Sequence, residues 1–89
     1  MLYITHIRLE GGDEPQHITH VQWEQPSKDR SNASTRADVV VYIQHGVGVR
    51  VRGKERELAV MVVDAKPPFL QTVADDGRET KDLISLPRF

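Results

Sequence analysis

With 89 residues, a formal net charge of −1, and 28% charged against 38% hydrophobic residues, the chain has a globular balance that excludes a charge-rich disordered tail. The absence of cysteine excludes a disulfide framework, a thiolate nucleophile and a cysteine zinc cluster. The length implies one domain over residues 1–89, with a modest core and little room for a deep cleft.

The chain opens on a strand pattern, Ile4-Thr5-His6-Ile7-Arg8-Leu9-Glu10, that is echoed fourteen positions later as Ile18-Thr19-His20-Val21-Gln22-Trp23-Glu24. Strict alternation puts Thr5, Ile7 and Leu9 on an apolar face with Thr19, Val21 and Trp23, and turns His6 and Arg8 to the other side. A hairpin pairing Ile7 with Val21 follows. Gly11-Gly12-Asp13-Glu14-Pro15-Gln16 supplies its exposed loop. The stretch Gln25 to Asn32 offers no residue suited to a core and is expected to be a surface loop.

Thr35-Arg36-Ala37-Asp38 has the form of a helix N-cap with an acidic residue three positions on, and Gly46 is a natural stop after His45. These ends favour a helix, although Val39-Val40-Val41-Tyr42-Ile43 has high strand propensity. Either Ala37, Val40 and Val41 or Val39, Val40 and Ile43 line its buried side. Val47 to Arg52 and Glu57 to Val63 then form a second hairpin around a turn at Gly53 to Arg56. Leu58 to Val63 is apolar on both faces, as for a central strand covered on each side, and would be an aggregation hazard if left open. After Pro67-Pro68, Phe69 to Ala74 is a last strand, Asp75-Asp76-Gly77 a turn, and Leu83 to Phe89 an apolar segment that docks on the body. The expected fold is therefore α+β: an antiparallel sheet of about five strands, two hairpins plus a last strand, with one helix on one face. Trp23 and Phe69 are both expected in the core.

The opening strand ending in Gly11-Gly12, His17 to Trp23, Ser34-Thr35-Arg36 before a helix, Leu70 to Asp75 with Asp76-Gly77, and the ending Asp82 to Phe89 are similar in order and spacing to domain-of-unknown-function family 3892. That family comprises small, mostly bacterial proteins, and the resemblance implies one compact α+β domain. It implies no substrate, cofactor or catalytic residue. The chain departs from the family at Arg78 and Glu79, where an aromatic residue often follows the Asp-Gly turn.

No reaction is spelled out by the residues. His6 and His20 share a face as diagonal neighbours, but no third ligand accompanies them, so no metal site is assigned. Asp75, Asp76, Glu79 and Asp82 suit turns and caps better than acid–base catalysis. Neither Ser34 nor Ser85 sits in a nucleophile elbow, and Gly46-Val47-Gly48 lacks the rest of a phosphate loop. The expectation is a non-enzymatic module without cofactor or small-molecule substrate that binds a protein partner or itself.

The alternative is nucleic-acid or polyanion binding. Residues 28–56 carry Lys28, Arg30, Arg36, Arg50, Arg52, Lys54 and Arg56 against Asp29, Asp38 and Glu55, a local charge of +4. Arg50 and Arg52 leave one sheet face, Lys54 and Arg56 crown the next turn, and arginine forks suit phosphate. Glu55 and Glu57 are placed to neutralise them. The longest apolar run is six residues and no basic, apolar leader opens the chain, so the expected setting is cytoplasmic, without a membrane span.

Overall fold

Hydrogen-bonded strands place the echoed segments side by side in the computed structural model, which describes residues 1–53 and 55–89. β1 (Leu2–Leu9) and β2 (Ile18–Gln25) pair antiparallel with Ile7 opposite Val21, the expected register. The faces differ from strict alternation. Ile4 stands opposite Trp23 and His6 opposite Gln22, so Thr5 is an extra residue on β1; Arg8 faces His20 and Leu9 faces Ile18, so Thr19 is an extra residue on β2. Each echoed threonine is thus a β-bulge, and each bulge resets the phase. Ile4 and Ile18, which alternation turns outward, are 2% and 0% exposed.

β3 (Arg30–Thr35) extends the hairpin by pairing with β2 along its length. The expected loop over Gln25 to Asn32 is therefore only a single 3-10 turn at Pro26–Lys28, closed by Asp29 in the left-handed region at φ 48°. Serine, asparagine and arginine make this a polar edge strand, whose lack of an apolar face hid it from periodicity.

Thr35 then caps α1 (Arg36–Gln44), its hydroxyl accepting from the Asp38 N–H at 3.1 Å, and Gly46 at φ +88° ends it after His45. The two ends override the strand propensity of the valines. Val39 and Val40 are buried with Ile43 packed beside them, whereas Val41 is 47% exposed and Ala37 is exposed, which decides the helix face.

The helix returns the chain so that β4 (Val49–Arg52) enters beside β1 in the same direction, Leu2 opposite Val49. This parallel contact, made through a crossover helix, overturns the all-antiparallel expectation. β5 (Glu57–Val63), β6 (Phe69–Val73) and the two-residue β7 (Glu79–Thr80) follow antiparallel, giving one seven-stranded mixed sheet in the order β3-β2-β1-β4-β5-β6-β7 rather than about five strands.

The sheet curls strongly. The turn at Pro15–His17 beyond β1 touches β6, and the C-terminal segment docks against β1 where β4 has diverged. Ile7 donates to the Pro87 oxygen at 2.9 Å and accepts from the Phe89 N–H at 3.2 Å. Leu83 is fully buried, with Ile84 and Leu86 packed on the core, so the apolar ending docks as expected. Inside the curl Ile7, Ile18, Val21, Val51, Leu70 and Leu83 join the helix valines. Among the described residues no helix is long and apolar enough to cross a membrane.

Candidate interaction face

β5 alternates cleanly once the sheet is assembled. Leu58 and Val60 are buried and Val62 packs on the core, so Ala59, Met61 and Val63 turn to the outer side, where Met61 is 51% exposed. On β6, Leu70 and Thr72 are fully buried, which turns Phe69, Gln71 and Val73 outward. Phe69 is thus half-buried on the outer face, not in the core as expected, whereas Trp23 is 7% exposed and donates its indole N–H to the Ser34 hydroxyl at 2.9 Å. Cross-strand pairing joins Ala59 to Val73 and Val63 to Phe69. Directly opposed side chains lie about 5 Å apart, so these two apolar pairs flank a central pair of Met61 with the polar Gln71, an apolar strip over two strands that Gln71 interrupts on β6.

The strip is bounded by charge. Arg50 pairs with Ala59 on one side and Glu79 with Val73 on the other, so Arg50, Ala59, Val73 and Glu79 form a single row across four strands. None of this was read from the sequence. The signal was the apolar content of Leu58 to Val63 on both of its faces, whose second cover the described residues do not supply.

The three described basic candidates, Arg50, Arg52 and Arg56, are not gathered into a phosphate cradle. Arg50 and Arg52 do share the outer face. Arg52, however, forms an ion pair with Glu24 and lies with its guanidinium carbon 4.2 Å from the Tyr3 ring centroid. Arg56 stands 3.5 Å from Asp75, with both side chains exposed. Among the described residues, the carboxylates that pair with Arg52 and Arg56 come from β2 and the turn after β6, not from Glu55 or Glu57. Lys54 lies outside the described residues.

Glu57 instead accepts the Tyr3 hydroxyl proton at 3.1 Å. That hydrogen bond, foremost, holds the Tyr3 phenol above its ordinary range, with slight burial and the Glu57 charge adding to it while Arg52 and Arg50 pull the other way. Because the folded state keeps the proton more tightly, the contact stabilises fully below the ordinary phenol range and is lost as pH rises through the raised folded value. An ultraviolet absorbance titration should show Tyr3 ionising at lower pH in Glu57→Gln, which keeps an acceptor but removes the charge. An unchanged titration overturns the assignment.

His6 and His20 serve the bulges. Thr5 donates to the Gln22 carbonyl at 3.3 Å and Thr19 to the Arg8 carbonyl at 3.4 Å. Each hydroxyl also meets Nδ1 of the following histidine, at 3.0 Å for His6 and 2.9 Å for His20. A hydroxyl has one proton, so each threonine either gives it to the carbonyl and accepts from Nδ1–H or gives it to an unprotonated Nδ1, and the tautomer follows that choice. His17 accepts from the Glu14 N–H at 3.2 Å, and its ring lies so close to Gly12 that a Cβ there would meet it at 2.4 Å. Among the described residues no group of three or more histidine or carboxylate side chains is placed to hold a metal ion.

No protein-family model matches the chain, and neither a curated protein nor a solved structure does so.

Proposed function

We propose that the chain is a small non-enzymatic interaction module whose docking surface is the outer strip of β5 and β6. One observation carries this reading: β5 is apolar on both faces, and the described residues cover only one of them, leaving Met61 half in solvent beside Ala59, Val63 and Phe69. An uncovered apolar face on a β-strand is a liability in a free monomer and an asset at an interface. Polyanion binding is the weaker reading, because a phosphate would have to displace Glu24 from Arg52 and Asp75 from Arg56. The similarity to domain-of-unknown-function family 3892 and a bacterial cytoplasmic setting belong to the same proposal and name no activity.

The test places a photo-crosslinking amino acid at position 61 and, as control, at the exposed helix position Val41. Irradiation of expressing cells should give discrete protein adducts from position 61 that position 41 does not give. No adduct at 61, or the same adducts at both, overturns the proposal.

A further inference from the structure

We infer that the partner on this strip is a second copy of the chain, docked face to face about a two-fold axis that runs parallel to the strands between β5 and β6. The inference rests on the interaction reading above and adds the occupant. Its basis is the order of the row Arg50, Ala59, Val73, Glu79: basic, small, apolar, acidic. Neighbouring strands are about 4.8 Å apart, so the two charges stand about 14 Å from each other with the apolar pair between them.

A two-fold axis along the strands reverses that row. Arg50 then lies over Glu79 of the second copy, Glu79 over its Arg50, and Ala59 over its Val73. An axis across the strands keeps the order instead and sets Arg50 on Arg50 and Glu79 on Glu79, two like-charge contacts. Charge complementarity therefore selects one orientation, the self-complementary arrangement of an isologous dimer. Face-to-face sheets also prefer strands within about 30° of one another, which an axis along the strands allows.

Because the sheet curls away on either side, contact is confined to the strip, short of the about 800 Å² per partner of a standard interface. The dimer is accordingly weak, as encounters at the low end of interface sizes are.

Sedimentation velocity from low-micromolar to near-millimolar protein follows that weak equilibrium. The wild type should pass from monomer to dimer, and Arg50→Glu and Glu79→Arg should each weaken self-association at least about tenfold, as like charges now face each other twice. A mixture of the two variants should dimerise again, since one contact is then swapped and the other native. The double variant should also recover.

A wild type that stays monomeric throughout overturns the inference, as does a dimer indifferent to Arg50→Glu but lost in Met61→Asp, which would mean the right face in another orientation. Adducts at position 61 with other proteins only would overturn self-association and leave the interaction reading standing. No adduct there at all would remove both.

Discussion

Ile4→Asp and Ile18→Asp each leave no folded population, whereas Thr5→Ala and Thr19→Ala cost about 0.5 to 1.5 kcal/mol apiece, the net worth of one hydrogen bond. Strict alternation expects the opposite ranking, with the threonines inside and the isoleucines outside. The two bulges decide the matter, because they bring Ile4 and Ile7 to the same side of β1, and Ile18 and Val21 to the same side of β2. Burying an isoleucine is worth about 1.5 to 3 kcal/mol, and a lone carboxylate in its place adds a cost that only protonation or unfolding relieves. Against a total stability of about 4 to 13 kcal/mol for a domain this size, the sum is enough to unfold it. Each alanine variant removes the hydroxyl contact to Arg8 or Gln22 and leaves the core alone. Urea titration followed by the buried Trp23 gives the ranking directly; a folded Ile18→Asp variant would mean that the bulge on β2 is misplaced.

The same residues show how far the sequence could be read. The echo of Ile-Thr-His announced the hairpin and its register, since pairing needs only matched lengths and a loop. It concealed the bulges because a period of two has no place for an extra residue, although the spacing of three from Ile4 to Ile7 and from Ile18 to Val21 was the trace they leave. The helix was legible from Thr35 and Gly46, whose roles are local, but its buried face was not, because Val39, Val40 and Val41 are chemically equivalent until the sheet chooses among them. β3 was invisible because hydrogen bonds to β2, not apolar side chains, hold it. The parallel contact of β1 with β4 depends on where the helix sends the chain, a property of no single segment. At the candidate face, the apolar doubling of β5 was plain in the sequence. Glu24 and Asp75, which partner the arginines, lie far from them along the chain and could not be found from spacing.

Thr72→Val destabilises by about 2 to 4 kcal/mol, and Thr72→Ser by about 1 kcal/mol, although valine is the closer match in shape and the more apolar. Thr72 is fully buried near the end of β6, a position where burial alone favours the valine. Its hydroxyl decides otherwise. The oxygen accepts from the Leu83 N–H at 3.2 Å and from the Thr80 hydroxyl at 2.8 Å, and it donates to the Thr80 carbonyl at 3.2 Å, joining β6, β7 and the C-terminal segment at one atom. Valine leaves the Leu83 N–H buried without a partner and deprives Thr80 of two contacts, and an unmade buried hydrogen bond costs about 1 to 3 kcal/mol. Serine keeps all three and gives up one methyl group. The loss should also be local in its first effect. With Leu83 released, the segment that closes on Ile7 through Pro87 and Phe89 loosens before the rest, so amide exchange at Ile7 and Phe89 should rise in Thr72→Val under conditions where Val21 and Val60 remain protected. Equal stability of the valine and serine variants, or uniform exchange across the sheet, would show that the C-terminal segment is held by the burial of Leu83 alone.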